Sequence, residues 1–288
     1  MPSEAAHVAV GVAEVEQIAA LGWRGLDEAR LGGWLLRAAD GFTGRANSAL
    51  ALGGAPPAAG WLPELVRWYA ERGLPPMVQV PLPGAEAIDA VLAEAGWRTH
   101  DLVRFLTGDI AEIQKSTAQS VAQRSAGRPV SDPLAPGVLH STGSEVIARL
   151  DAEPDAAWLA TYHYRGAALP GHARDVLVRA GVDTELSFAS LRAPAPDGAP
   201  GAVLAVARAA VTHGWLGLTA VTVADQHRRQ GHGTRLMSEL ACWAAERGGR
   251  SIYLQVASDN AAALRLYEQL GFHHHHDYRY RIGPAPEG

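Results

Sequence analysis

VTVADQHRRQGHGT, residues 221–234, joins a β-favouring run (Leu218 to Val223) to an amphipathic helix through a loop punctuated by glycine. The helix is marked by Leu236, Met237, Leu240, Trp243 and Ala244 at helical spacing. Strand, glycine loop and helix together make an anion cradle. The first-turn N–H groups of a helix have no intrahelical partners, and the helix dipole places partial positive charge there. Gly231 and Gly233 let the backbone approach a phosphate with no Cβ in the way. The spacing is not that of a P-loop, because no Lys follows the second glycine. Nor is it G-x-G-x-x-G, because Leu236 stands at the third glycine position. Read alone, the stretch is either a phosphate loop or a glycine-rich turn before a surface helix.

The residues that follow decide between these. Arg247-Gly248-Gly249-Arg250 suits a helix C-cap. Ser251 to Val256 reads as a strand and Ala257-Ser258-Asp259 as a turn. Asn260 to Leu270 reads as a helix closed by Gly271-Phe272. The segment therefore carries Leu254, Val256, Asn260, Ala263, Tyr267, Gly271 and Phe272 in the pattern L-x-V-x-x-x-N-x-x-A-x-x-x-Y-x-x-x-G-F. Together with Arg-x-x-Gly-x-Gly at 228–233, it resembles the GNAT superfamily of acetyl-CoA-dependent N-acetyltransferases.

The resemblance implies roles. Backbone groups of Val221 and Val223 would bond the pantetheine arm of acetyl-CoA where the strand splays from its neighbour. Backbone N–H groups of Arg229, Gln230, Gly231, His232, Gly233 and Thr234 would hold the pyrophosphate, with the Arg228 guanidinium adding charge. Asn260 would touch the pantetheine or acetyl end, and Tyr267 would protonate the leaving thiolate. No metal is implied. Each residue also has a structural reading. The two valines belong to a core, Asn260 can be a helix N-cap, and Tyr267 can simply pack.

The acceptor implied is an amine, a small molecule or a protein lysine, and it must shed a proton before attack. Some family members place a Glu on the strand before the loop. The aligned position here is Gly217, and no carboxylate occurs from Val203 to Ala224. His213, Asp183, Glu185 or a water chain remain as candidates. A narrower alternative is the mycothiol synthase type of tandem acetyltransferase, acting on a cysteinyl amine. A different class is a non-catalytic acetyl-CoA-binding sensor, which the missing Glu favours and the retained Asn260 and Tyr267 oppose.

Composition bounds the rest. The chain has 288 residues, 48% hydrophobic and 19% charged, with a net charge of −5. That length suits two domains, and the charge shows no nucleic-acid footprint. The single cysteine, Cys242, excludes an intrachain disulfide and is expected on the apolar face of the helix after the loop. No apolar run reaches membrane-spanning length and no leader pattern opens the chain, so a cytoplasmic protein is expected.

In the N-terminal half, Val8 to Val12 reads as a strand and Glu14 to Leu21 as a helix. Strands follow at Trp34 to Ala38, Ser48 to Leu52 and Met77 to Val80, with helices at Pro63 to Arg72 and Ala85 to Ala95. This order parallels the C-terminal half. Met77-Val78-Gln79-Val80 matches Tyr253-Leu254-Gln255-Val256. Without a gap, Arg104, Phe105 and Gly108 fall on Arg279, Tyr280 and Gly283. The fold expected is α/β: two tandem GNAT-like domains, each a mixed, mostly antiparallel sheet flanked by helices. Residues 1–106 are a degenerate copy, 107–136 a linker and 137–288 the catalytic copy. The first copy lacks Arg-x-x-Gly-x-Gly, and Leu92 and Gly84 stand where Tyr267 and Asn260 would match. Its loop Gly41 to Asn47 either offers Arg45 or Asn47 to a substrate or is a turn with a capping Asn.

In the second copy a strand is expected at Gly137 to His140 and a helix from Ser144 to Leu150. A helix-loop-helix over Ala157 to Gly181 would border the acceptor site, with Tyr162, His163, Tyr164 and Arg165 available for amine recognition or packing. Strands are expected at Glu185 to Arg192 and Val203 to Val211. His273 to His276 reads as a solvated strand rather than a zinc site, since alternation splits the four imidazoles between two faces.

Overall fold

The computed structural model describes residues 10–53, 55–57, 59–100, 102–126, 146–164, 166–195 and 201–284. In chain order the N-terminal part contains α1 (Val12–Gly22), β1 (Asp27–Leu31), β2 (Trp34–Ala38), β3 (Ala49–Leu50), α2 (Trp61–Ala70), β4 (Met77–Leu82), α3 (Glu86–Glu94), β5 (Arg98–Thr99), β6 (Val103–Asp109) and α4 (Ile110–Ala126). The C-terminal part contains β7 (Ile147–Asp151), α5 (Ala156–Thr161), α6 (Ala173–Leu177), β8 (Thr184–Arg192), β9 (Val203–Thr212), β10 (Trp215–Val223), α7 (His232–Ala245), β11 (Ser251–Ala257), α8 (Ala261–Gln269) and β12 (His273–Ile282).

The strands form one continuous sheet in the order β1-β2-β3-β4-β12-β6-β11-β10-β9-β8-β7. Two copies of one plan are visible in it. β3 runs parallel to β4 around α2, as β10 runs parallel to β11 around α7. The last strands are exchanged: β6 pairs with β11 of the C-terminal half, and β12 pairs with β4 of the N-terminal half. The repeat register survives the exchange. Gln255 lies opposite Phe105, and Gln79 lies opposite Tyr280.

Alternation along the strands sends alternate residues to two faces. On one face Ile252, Leu254 and Val256 of β11 and Leu216 and Leu218 of β10 meet Leu236, Met237, Leu240 and Ala241 of α7 and Ile110 and Ile113 of α4. On the other, Tyr253 packs with Phe105 and with Val15, Ile18 and Ala19 of α1. Trp23, Phe42 and Ala46 of the first half join Trp158, Tyr162, Phe188 and Val206 of the second in one cluster. The N-terminal half has its own core, Trp34, Trp61, Leu65, Tyr69, Val78, Val80, Ile88 and Leu92, with Trp34 and Trp61 in edge contact at 5.0 Å. Such an aromatic pair adds about 1 kcal/mol to its burial.

Several local expectations are corrected. Residues 107–126 are not linker: they complete β6 and form α4, whose Ile110 and Ile113 are buried against α7. The Ser144 to Leu150 helix is instead β7 over its described part, because Ile147–Asp151 pairs with Arg192 through Phe188. Val12 opens α1 rather than ending a strand. Cys242 is exposed, because the buried stripe of α7 runs through Leu236, Met237, Leu240, Ala241 and Ala244. The histidine strand is not solvated throughout. His276 is buried and bonds Glu16 at 3.0 Å, and His275 bonds the Val10 carbonyl at 2.8 Å. The strand expected at Gly137 to His140 lies outside the described residues, as does Arg165.

Among the described residues no helix is long and apolar enough to cross a membrane, and no group of His, Cys, Asp and Glu is placed to hold a metal ion.

Candidate active site

β10 and β11 pair from Trp215 with Ser251 to Leu218 with Leu254, then part. Beyond that point β10 runs on to Val223 and β11 to Ala257, each held only by its outer neighbour. The cause lies in β10. A bulge falls between Thr219 and Thr222 against β9, and Ala220 takes a left-handed φ of 55°. The result is a V-shaped opening in the sheet, with Val221 and Val223 on one arm.

At the end of that arm a short 3-10 turn, Asp225–His227, leads into the glycine loop. Arg229 and Gly231 have φ of 63° and 88°, and Gly231 is the N-cap of α7 with no side-chain cap. The first helical bond is Arg235 N–H to the Gly231 carbonyl at 3.0 Å. The N–H groups of His232, Gly233 and Thr234 precede it and have no intrahelical partner, the arrangement that suits a helix end to an anion. The close approach at Gly233 is real: a Cβ there would lie 3.3 Å from Leu266 Cδ2 of α8. Arg228 is exposed and pairs with Asp225 at 2.7 Å. Burial, then the charges of His227 and Arg235, lowers the His232 pKa.

α8 closes the site. Asn260 is its N-cap, with Oδ1 accepting from Ala263 N–H at 3.1 Å. Tyr267 is buried in the same core against which Val221 and Val223 pack, its ring 5.5 Å from that of Phe272. Its hydroxyl makes no hydrogen bond with a described residue, and burial pushes its pKa up to about 12. Val221, Val223 and Tyr267 thus share one core, and Asn260 heads the helix that carries Tyr267.

The candidate bases lie elsewhere. His213 is exposed in the turn before β10, the far end from the loop. Nine strand residues separate them, roughly 30 Å. Asp183 and Glu185 flank Thr184, which pairs with Thr212 at that same far end, and Glu185 is bound to Arg247 at 3.0 Å. The position of the absent Glu is filled. A Cβ on Gly217 would lie 2.2 Å from the Tyr253 hydroxyl oxygen.

The loop Gly41 to Asn47 of the N-terminal half, named from the sequence for Arg45 and Asn47, reaches β11. Asn47 is the turn-former: its Oδ1 accepts from Ala39 and Gly41 N–H, and its Nδ2 donates to the Phe42 and Thr43 carbonyls. Arg45, held by that turn, donates to Gln255 Oε1 at 2.5 Å. Gln255 is the first residue of β11 past its last pairing with β10. Tyr162 is buried in the cluster between the halves. With His163 it also lines a cavity of about 320 Å³ between α5 and α6.

With this geometry in place, the comparisons are specific. Residues 10–281 match the family model described as probable histone acetyltransferase Rv0428c, C-terminal. The chain belongs to this family. Across 272 residues it is 32% identical to the probable histone acetyltransferase Rv0428c of Mycobacterium tuberculosis, covering 92% of this chain and 72% of the relative. It is 24% identical to the uncharacterized N-acetyltransferase YobR of Bacillus subtilis, covering 94% and 98%. In fold it is similar to a GCN5-related N-acetyltransferase from Kribbella flavida, with TM-score 0.62 and 19% identity over 97% of this chain and 98% of that one. It is also similar to a tandem GNAT protein from the clavulanic acid biosynthesis pathway, with TM-score 0.59 and 17% identity over 99% and 92%. By family the chain is an acetyltransferase, and its fold is similar to that of GNAT proteins, a tandem one among them.

Proposed function

We propose that the chain transfers the acetyl group of acetyl-CoA to a primary amine, and that the opening between β10 and β11 is its one active site. The observation that supports this is the parting of β10 from β11 at the Thr219–Thr222 bulge, ahead of the uncapped α7 N-terminus, with Asn260 and Tyr267 on the helix that follows β11. Acetyl-CoA supplies an acetyl thioester that a neutral amine can attack directly. Backbone N–H groups from Arg229 to Thr234 hold the diphosphate, and Arg228 adds charge beside them. The free edge of β10 at Val221 and Val223 bonds the pantetheine arm, and an N–H on this edge polarises the thioester carbonyl. Asn260 keeps its cap bond through Oδ1 and has its Nδ2 free to donate to the arm. Tyr267 stays protonated and donates to the departing sulfur. No imidazole or carboxylate from His213, Asp183 or Glu185 reaches this point, so the amine proton leaves to water.

In this division of labour the N-terminal copy binds no acetyl-CoA and walls the acceptor side. The reading is tested by thiol release from acetyl-CoA over a panel of primary amines. Amine-dependent release that fails in a Gly231→Asp variant supports it. Tight acetyl-CoA binding without turnover on any amine favours the sensor reading instead.

A further inference from the structure

Two guanidiniums lie beside Trp23, Arg45 at 5.0 Å and Arg208 at 4.9 Å from its ring centre. They differ in what holds them. Arg208 is fully buried and each of its three nitrogens donates to a carbonyl, those of Leu177 (2.6 Å), Gly22 (2.8 Å) and Arg179 (3.0 Å). It is a structural tie between α1, α6 and β9. Arg45 is half-buried and makes a single hydrogen bond with the described residues, the one to Gln255. Neither has a carboxylate partner among them. A guanidinium has five N–H donors, so Arg45 keeps most of its capacity. A half-buried cation with spare donors and no counter-charge is a costly arrangement unless a ligand completes it.

Its place says which ligand. Gln255 shares the sheet face of Tyr253, opposite the face covered by α7. Arg45 is therefore across the sheet from the helix whose N-terminus is assigned the diphosphate under the acetyl-transfer reading. The Tyr278 hydroxyl reaches the same Gln255 oxygen at 3.4 Å, and Tyr162, Tyr164 and Tyr280 lie within electrostatic reach of the guanidinium. The turn carrying Arg45 is fixed by the five-bonded Asn47 amide and by Trp23 Nε1–H to Thr43 Oγ1 at 3.0 Å. The cation is preorganised.

We infer that Arg45 is an acceptor-specificity residue, and that the acceptor is a small amine that also carries a carboxylate, which Arg45 engages while the amine enters between β10 and β11. This rests on the acetyl-transfer reading and names its substrate class. A planar fork of donors matches a carboxylate. The uncompensated Arg45 guanidinium repels a lysine-rich peptide.

The test uses the full chain with saturating acetyl-CoA and matched pairs of short ω-amino acids and their primary amides. Thiol release is followed for each pair. Binding to the CoA-saturated chain is followed in parallel by tryptophan fluorescence. The acid is expected to exceed its amide by about tenfold or more in kcat/KM and in affinity. That ratio is expected to fall towards one in Arg45→Gln and to be partly restored in Arg45→Lys, with melting temperatures confirming that both fold. Equal use of acid and amide overturns the inference. So does a ratio unchanged in Arg45→Gln, preference for a lysine-rich peptide, or failure to bind any acid. Calorimetry with acetyl-CoA separates the two levels. A chain that binds acetyl-CoA without acid–amide discrimination refutes only the substrate class, and one that binds none refutes acetyl transfer with it.

Discussion

The Tyr253 hydroxyl and the missing side chain of Gly217 share one volume, 2.2 Å separating the oxygen from the Cβ position. The two residues are register partners on parallel strands. Tyr253 cannot replace a carboxylate as base, since burial pushes its pKa up to about 12. A methyl group at 217 must displace the ring, and overpacking of this kind costs about 1–3 kcal/mol. Gly217→Ala is expected to lose that stability in denaturant unfolding, and to lose much less of it beside Tyr253→Ala. Additivity of the two changes would show that the contact is slack.

In the proposed mechanism no side chain acts as base, so the acceptor amine sets the acid limb. kcat/KM is expected to rise with pH until the amine's own pKa. His213→Ala, Asp183→Asn and Glu185→Gln should each leave that profile within about twofold of the parent, since all three sit at the far end of β10. A limb that disappears with one of these substitutions would identify the base.

Tyr267→Phe removes a donor and little else, since the ring's packing on Phe272 remains. kcat is expected to fall about 100-fold with the KM for acetyl-CoA little changed. A hydroxyl with its pKa near 12 holds its proton across the assay range, so no alkaline limb below about pH 10 should be assigned to it.

The exchanged strand β12 is fastened to the first half by Arg281, whose fork meets Asp89 of α3 at 2.8 and 2.9 Å. The hydrogen bond from Arg281, then its charge, hold the Asp89 pKa below the usual carboxylate value. A depressed carboxylate stabilises fully above its unfolded pKa, about 4, and loses that contribution as pH falls through the folded value. Asp89→Asn is expected to cost about 1 kcal/mol at pH 7, with the deficit closing below about pH 4. A constant deficit across that window would mean packing, not charge, is involved.

The C-terminal half was legible because its signals are local. Glycine spacing at 231 and 233 and the 3.6-residue period of Leu236 to Ala244 describe one helix start. The ungapped match of Phe105 to Tyr280 foretold two strands in equivalent register with Gln255 and Gln79, though not that they trade places. What escaped depends on distant partners. β7 is a strand because Phe188 to Arg192 lies beside it, not through its own pattern. α4 is polar along most of its length and is anchored by Ile110 and Ile113. His276 is buried because Glu16, 260 residues earlier, meets it. Arg45 was flagged as one of two candidates, and Asn47 proved to be the turn-former that holds it in place.

Calorimetric titration of acetyl-CoA into the full chain, with Gly231→Asp in parallel, tests the assignment of the active site most directly. The change places a negative charge at the anion cradle and a side chain at a φ of 88°. One site per chain is expected, lost in the variant while melting shows it still folded. Two sites would give the N-terminal copy a function it is not assigned here. No binding, or binding indifferent to Gly231→Asp, would contradict the site itself.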